Sequence, residues 1–370
     1  MSLLEQYAGA TWSPPFAQQI PSNLDSYHQQ VTSWQAAKRR AGRELNLWLH
    51  GQRTLVRDQI GHACRLLWIY KGTPQVGDSL MDLAARVLLK GRIERIDLLI
   101  DEHLVPLYNS DQVFDRVACR TTNLRPATEY DLVLLHSASS RSIRDKVRDF
   151  RSLPFVHVHG FYTGPEFNRT LFGFHRLAQL LGVSLDDAWL TEYGRPVMWH
   201  SAADQTAVDA LNVPHGAVAL ALGGVRDWRT YGRWAEVLRL AHQAGWQHPW
   251  VLVGAENGAV MRDQLFSEFG SRFQFIDAVG RLTLPQTHAL LQRCTLALCA
   301  DGGLLHLAHA ADVPAVALFA GVIDPSFRVT AANRTISLHG SERVDDIEPQ
   351  QVFAALQAQA ACFAVGDTSS

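Results

Sequence analysis

The stretch Leu296-Ala-Leu-Cys-Ala-Asp-Gly-Gly-Leu-Leu-His-Leu-Ala-His-Ala-Ala-Asp-Val-Pro-Ala-Val-Ala-Leu-Phe319 decides the fold of this chain. An apolar run of strand length ends before Asp301, and two glycines follow it. A helical pattern carries His306, and a second apolar run begins at Ala315. A strand, a helix and a strand in this order predict a β-α-β unit, from which parallel sheets are built.

The polar residues of this unit fall at the end of a strand and the start of a helix. Ligands of open α/β sheets bind at that place, and a helix amino terminus suits phosphate because its N–H groups are free. Gly302 and Gly303 allow the backbone to approach an anion closely. We therefore expect an anion site at Asp301, the two glycines and His306.

Composition excludes several classes of protein. The chain has 370 residues and a formal net charge of -2, which gives no reason to expect nucleic acid as a partner. It has no apolar run of about 18 residues and no secretory start. The five cysteines are widely scattered, so they indicate neither a zinc site nor a disulfide framework: Cys64, Cys119, Cys294, Cys299 and Cys362. Free cysteines favour a cytoplasmic protein, and we expect at most peripheral contact with a membrane.

The alternation of predicted strands and helices along the sequence predicts two domains with an appendage. Residues 1–62 indicate a mostly helical extension, 63–190 a Rossmann-like domain, 191–215 an interdomain connection, and 216–370 a second Rossmann-like domain with a carboxyl-terminal helix. The fold class is α/β, with two doubly wound domains facing each other across a cleft. The predicted strands are 66–70, 96–100, 114–119, 132–136, 155–159, 217–222, 250–253, 273–276 and the two quoted above; the predicted helices are 79–90, 166–181, 233–244, 284–293, one after Gly303, and 350–363.

Eight segments of the sequence form one recognisable pattern: Gly280–Leu291, Asp301–Ala308, Val313–Phe319, Gly223–Leu238, Val253–Asn257, Leu66–Tyr70, Gly77–Leu80 and Tyr130–Ser142. Together they resemble glycosyltransferase family 9, the ADP-heptose:lipopolysaccharide heptosyltransferases. The resemblance covers roughly residues 65–330 and is stronger in the carboxyl half.

The resemblance implies a GT-B fold and an inverting transfer without metal or cofactor. The expected donor is a nucleotide-sugar, ADP-heptose before others, held mostly by the second domain. The expected acceptor is a hydroxyl of a lipopolysaccharide core or related anionic surface glycan. Three departures from the family pattern bear on the donor: Gly302 replaces Thr or Ser, Ala320-Gly-Val322 replaces Gly-Pro-Thr, and Arg226 replaces Lys.

Asp78 is the candidate general base, because the Gly77-Asp78 pair matches the family's Gly-Asp loop. A positioned base typically contributes about 10²–10⁴-fold in rate. The alternative role of Asp78 is to cap a helix, which is worth about 1 kcal/mol. Asp82, one turn later, is the second choice for the base.

Two further residues complete the predicted donor site. Arg226 would neutralise the departing diphosphate, and Glu256 would accept hydrogen bonds from ribose hydroxyls. Alternatively, Arg226 is a surface arginine beside Asp227, and Glu256 is a solvated acid in a loop. The residues of the anion site also have alternative roles. Asp301 could cap the helix, and His306 could be a hydrogen-bonded histidine of the core.

The acceptor side offers Gly77, Arg141 and Arg144. The two arginines open a basic run that includes Lys146 and ends at Arg151, which would attract an anionic acceptor. A helix surface covered by salt bridges explains the same run. His157 and His159 share one face of a strand, but no third metal ligand accompanies them, so we expect no metal site.

Three other functions stay open at this point. A protein hydroxyl could be the acceptor, because the unfamiliar amino-terminal segment could dock a polypeptide. A nucleotide-sugar epimerase shares the architecture and needs no acceptor. A non-catalytic nucleotide-sugar binder would explain Gly302 and the altered 320–322 segment.

Overall fold

The computed structural model describes residues 2–73, 75–162 and 164–364. The chain divides into two compact units, the first ending at Gly194 and the second beginning at Arg195. Each unit is built around one parallel sheet. The described helices include none that is both long and apolar enough to cross a membrane.

The amino-terminal appendage is helical. Its first and third helices begin with side-chain caps at Ser2 and Thr32, each of which forms a reciprocal capping box with the residue three positions later. A short 3-10 helix at Arg53–Leu55 then leads to the first sheet. The α-helices of the appendage are α1 (Leu3–Gly9), α2 (Leu24–Gln30) and α3 (Ser33–Leu49).

The first unit contains a five-stranded sheet in the order β3-β2-β1-β4-β5. The strands β1, β2 and β4 are mostly apolar and almost fully buried, as parallel strands covered by helices must be, whereas the edge strand β3 is partly exposed. The elements are β1 (Arg65–Tyr70), α4 (Val76–Asp82), β2 (Arg95–Ile100), α5 (Val105–Tyr108), β3 (Arg116–Ala118), β4 (Leu132–Leu135), α6 (Ser140–Phe150), β5 (Phe155–His157), α7 (Arg169–Leu181) and α8 (Asp187–Tyr193).

The second unit contains a six-stranded sheet in the order β11-β10-β9-β6-β7-β8. One large apolar core joins its strands to α10 and α14. The elements are α9 (Ala202–Asp209), β6 (Val218–Ala221), α10 (Trp234–Gln243), β7 (Trp250–Val253), α11 (Ala259–Phe269), β8 (Phe275–Asp277), α12 (Leu284–Leu291), β9 (Leu296–Ala300), α13 (Gly303–Ala310), β10 (Ala315–Phe319), β11 (Thr335–His339) and α14 (Pro349–Ala364).

The prediction of two doubly wound α/β domains is confirmed, and the structure corrects some elements. The predicted helix 79–90 is α4 followed by a 3-10 helix, Ala84–Leu89. Residues 195–215, predicted as connection, belong to the second unit and include α9. The elements that the pattern did not predict also include α5, α6, α8, α11 and β11.

Candidate functional site

The second sheet reverses its strand order between β6 and β9, which makes this the switch point of the unit. All strands are parallel, so the loops after β6, β7 and β9 lie side by side at the carboxyl edge. These loops carry Arg226, Glu256 and Asp301, respectively. The sheet therefore gathers the predicted donor residues at the edge where ligands of this fold class bind.

Gly302 caps the start of α13 in an extended conformation, with φ 168° and ψ -168°. Any residue adopts such a backbone, and a Cβ added there would meet no atom within 4 Å. The Thr or Ser expected from the family pattern would therefore fit. Gly303 is the first helical residue and is exposed, so the free N–H groups of the first turn are accessible to a ligand.

Two arginines approach the Asp301 carboxylate, which is nearly buried. Arg229 Nη1 lies 3.5 Å from Oδ2, and Arg328 Nε lies 4.0 Å from Oδ1. Arg229 also stacks on the ring of Trp228, with 4.5 Å from its guanidinium carbon to the ring centroid. Among the described residues, the buried Arg229 Nε finds no hydrogen-bond acceptor. Two cations thus flank the start of α13.

His306 lies in the same turn and is buried. Burial lowers the pKa of this imidazole well below its ordinary value, and His309 and the two arginines lower it further. His306 is therefore neutral at pH 7. In the described part of the chain its Nδ1 has no hydrogen-bond partner, so the prediction of an internally bonded core histidine is not supported at this atom.

Arg226 and Glu256 are exposed at the same carboxyl edge. Arg226 contributes its carbonyl oxygen to a turn, where it accepts from Thr230 Oγ1 at 3.0 Å. The Glu256 carboxylate lies against Gly280, since a Cβ added to that glycine would be 2.3 Å from Oε2. Sequence reasoning missed Arg229, although it lies three residues after Arg226 in the same segment.

The first sheet reverses its order between β1 and β4, and a buried polar network lies there. At its centre is the Asp82 carboxylate, only 2% exposed. It accepts hydrogen bonds from Tyr70 Oη at 3.0 Å and from Arg169 Nη1 at 3.0 and 3.2 Å. His136 Nε2 lies 3.0 Å from the same carboxylate. Asp82, the second choice for the base, is therefore buried and already paired.

The charges of this network support each other. Burial alone would raise the pKa of Asp82, but Arg169 and then His136 hold it below its usual range. Asp82 in turn raises the pKa of Arg169 despite burial of the guanidinium, and Asp78 adds to this effect. The core of the network is therefore a permanently ionised pair.

Asp78 lies at the rim of this network. Its Oδ1 is 3.7 Å from Arg169 Nε, and its side chain is 25% exposed. The helix cap is Gln75 rather than Asp78, so the capping alternative is wrong. Gly77, one residue earlier, is buried in the first turn of α4. Arg169 therefore orients a carboxylate that remains accessible.

Three potential metal ligands also meet here: Asp82, His136 and His159 offer atoms within 4.8 Å of one another. Asp82 and His136 thus lie beside His159, which the sequence pattern did not indicate, while His157 lies outside the cluster. A divalent ion would share the Asp82 carboxylate with Tyr70 and with the Arg169 cation. The donor set suits a transition metal, but the guanidinium already supplies the positive charge.

The basic run after β4 has two different parts. Arg141 and Arg144 are exposed on the first turns of α6, and Arg144 Nε donates to Ser140 O at 3.3 Å. Lys146 is buried, where its ammonium donates to carbonyl and amide oxygens, including Arg151 O at 3.2 Å. Burial lowers the pKa of Lys146 to about 8. The prediction that Lys146 belongs to an accessible basic run is wrong.

Comparison with known proteins gives a family match within the second unit. Residues 195–353 match the family model described as Glycosyltransferase family 9 (heptosyltransferase). A comparison with curated proteins gives no significant match.

Solved structures share the fold at low sequence identity. A glycosyltransferase family 9 protein from Veillonella parvula has a TM-score of 0.65 and 16% identity, over 80% of this chain and 97% of its own. E. coli ADP-heptose lps heptosyltransferase II has a TM-score of 0.58 and 16% identity, over 80% and 98%. E. coli heptosyltransferase WaaC with ADP has a TM-score of 0.59 and 16% identity, over 80% and 99%.

Proposed function

Because residues 195–353 match the glycosyltransferase family 9 model, we propose that this chain is a glycosyltransferase. It transfers a heptose from ADP-heptose to an acceptor hydroxyl with inversion. The acceptor is a lipopolysaccharide core or a related anionic glycan. The observation that carries the proposal is the start of α13, where an exposed glycine backbone is flanked by Arg229 and Arg328.

The second unit supplies the donor site. The diphosphate binds at the amino terminus of α13, where free N–H groups and the helix dipole favour negative charge. Arg229 and Arg328 neutralise the charge that develops on the leaving group, as preorganised cations do in other transfers. Glu256 accepts hydrogen bonds from the ribose hydroxyls, and Arg226 is an outer contact of the phosphates. The ADP named with the similar E. coli heptosyltransferase WaaC supports an adenine nucleotide.

The first unit supplies the base. The Asp78 carboxylate takes the proton of the acceptor hydroxyl while the oxygen forms its bond to the anomeric carbon. The bond between that carbon and the phosphate oxygen breaks on the opposite side, and its electron pair leaves with ADP. The products are the glycosylated acceptor, ADP and a proton held by Asp78.

Arg169 is a positioning residue in this mechanism. It is held by the buried Asp82 carboxylate and contacts Asp78 through Nε. The base is thus oriented before substrate arrives, which reduces the entropy lost on reaching the reactive geometry. Because Arg229 and Arg328 provide the charge stabilisation, the proposed transfer needs no metal.

ADP release from ADP-heptose tests the proposal. We expect release to depend on a heptose-deficient lipopolysaccharide core as acceptor, and Asp78→Asn to lower the rate about 10²–10⁴-fold while leaving ADP affinity within twofold. Asp187→Asn is the matched control, because Asp187 is another first-turn helix acid of the same unit and should leave the rate unchanged.

Three results would each point elsewhere. Full activity of Asp78→Asn removes the base assignment. Conversion of the nucleotide-sugar without acceptor indicates an epimerase, and ADP binding without turnover indicates a non-catalytic relative.

A further inference from the structure

Helix α3 of the appendage exposes an apolar stripe along one face. Trp34 is 67% exposed, Leu45 54%, Trp48 63% and Leu49 62%. These positions are spaced at helical intervals, and Lys38 falls on the same face. The opposite face is used for packing, since Ala36, Ala37 and Leu47 are buried. A single exposed tryptophan is ordinary, but an aligned stripe marks an interaction surface.

A basic pocket of about 720 Å³ borders this stripe. Lys38, Arg39 and Arg43 line it from α3, and Ser139 and Ser140 line it from the start of α6. None of its described lining residues is acidic. The first N–H groups of α6 lack intrahelical acceptors, as at every helix start, and one of them, that of Ser142, donates to Ser139 Oγ at 3.2 Å. Three cations and a helix amino terminus therefore converge on one cavity.

The arginines of the pocket are held close together. Arg39 Nη1 donates to Tyr27 Oη at 2.8 Å, and Arg43 Nη1 donates to Phe161 O at 3.3 Å. Burial, and then the neighbouring Arg39 cation, lowers the pKa of Arg43. An anion in the pocket would relieve this repulsion, and guanidinium groups pair especially well with phosphate.

We propose that α3 lies on a lipid surface and that the pocket beside it binds a lipid-borne phosphate of the acceptor. Tryptophan and leucine on one face, with basic residues beside them, are typical of helices that lie in the membrane interface. The inference rests on the proposed function for the identity of the acceptor. It adds the surface of this chain that contacts the membrane and the place where a phosphate of the acceptor binds.

A lipid surface fits better than a protein partner because apolar stripe and phosphate pocket adjoin on the same helix. An interface presents acyl chains and phosphate groups in the same arrangement. The occupant of this surface is therefore a lipid membrane. If the chain does not bind vesicles, the surface is left to a polypeptide partner.

Vesicle sedimentation of the full chain tests the apolar stripe. The probes are phosphatidylcholine vesicles with and without phosphatidic acid, which bears a phosphate monoester. Replacing Trp34 and Trp48 together by Ser should weaken binding at least about tenfold, because two large side chains no longer enter the interface. The control is Val260→Ser in the second unit, where an 82% exposed apolar side chain is lost; binding should not change.

The same vesicles test the pocket. Lys38→Gln should weaken binding about fivefold with phosphatidic acid and leave binding to phosphatidylcholine alone unchanged, since one cation near an anionic surface is lost. Arg53→Gln removes an exposed cation of the appendage that does not line the pocket. A weaker or absent effect of this control supports the pocket, and equal effects of both variants overturn it.

Lysine acylation followed by mass spectrometry gives a local readout. The chain has four lysines, and Lys38 and Lys90 are the exposed ones. Inorganic phosphate should slow acylation of Lys38 but not of Lys90, compared with chloride at equal ionic strength, and Arg43→Gln should remove the protection. Equal rates at Lys38 with and without phosphate would overturn the phosphate assignment.

Both experiments separate this inference from the proposed function, because neither uses donor. If wild-type chain binds neither vesicle type, the lipid proposal is wrong even when ADP release proceeds. If vesicle binding behaves as expected but ADP-heptose is not turned over, the surface assignment holds and the proposed reaction fails.

Discussion

The two sheets each place a buried carboxylate beside arginine at their switch point, but the two carboxylates are held differently. Asp82 in the first unit makes hydrogen bonds of 3.0 Å with Arg169 and Tyr70. Asp301 in the second unit has arginine contacts of 3.5 and 4.0 Å, and Arg229 keeps a donor without an acceptor among the described residues. The first arrangement is closed and orients Asp78, the proposed base, whereas the second is open and suits an incoming anion.

Acid should affect both units, because both bury neutral histidines. Burial lowers the pKa to about 4 for His157 and His288 and to about 3 for His309. The unfolded chain takes up these protons near pH 6.5 and the folded chain does not, so the stability is full above about pH 6.5 and is lost as the pH falls. We expect the free energy of unfolding to drop by about 1.4 kcal/mol per pH unit and per histidine between roughly pH 6 and 4.5.

His157→Leu is the matching variant, since neither ring nitrogen of His157 has a hydrogen-bond partner in the described part of the chain. Urea unfolding at several pH values should show nearly unchanged stability at pH 7.5 and a shallower decline in acid. An unchanged decline would show that His157 is protonated in the folded protein.

Arg169→Met should destabilise the first unit by about 3–5 kcal/mol, because it leaves the buried Asp82 charge without its partner. Urea unfolding at pH 7.5 measures this. The double variant Asp82→Leu/Arg169→Met should regain much of the loss, since no buried charge remains unpaired. A single variant within 1 kcal/mol of wild type would contradict the closed network.

Arg229→Gln should change ligand binding at the open site rather than stability, in contrast to Arg169→Met. We expect ADP affinity to fall about tenfold, the usual effect of losing a charge-assisted hydrogen bond, with little loss of stability. Calorimetric titration with ADP measures the affinity. Arg226→Gln, at the exposed position predicted from the sequence, should lower it by less; the reverse ranking would restore Arg226 as the main phosphate ligand.

Gly302→Ser should give the smallest effect, a gain of a few-fold in ADP affinity. The extended backbone and the open space at this position allow the hydroxyl without strain, and one neutral hydrogen bond is worth about 1 kcal/mol. Gly302→Ala is the control for the added Cβ. Equal affinities of the Ser and Ala variants would mean that no phosphate oxygen lies within reach.

Sequence patterns predicted the sheets well because strands such as β9 and β10 are apolar on both faces and bounded by turn residues. The resemblance to family 9 is confirmed over residues 195–353, which match the family model. Helix α11 was missed because few of its residues are buried and its apolar residues form no clear stripe. Strand β11 was missed because its residues are only partly buried at the sheet edge.

The site was harder to predict where it depends on contacts between distant residues. The Asp301 to His306 motif is local, so its place at a helix start followed from spacing. The Asp82 network joins residues from β1, the end of β4 and α7, and no local pattern links Asp82 to Arg169, which lies 87 positions later. For the same reason the pocket between α3 and α6 could not be recognised, although its basic residues were visible in the sequence.

A crystal structure of the chain with ADP tests the central claim most directly. We predict that the β-phosphate lies within hydrogen-bond distance of the backbone N–H of Gly303, with Arg229 Nε donating to a phosphate oxygen. A nucleotide bound elsewhere, or with its phosphates away from the start of α13, would contradict the account.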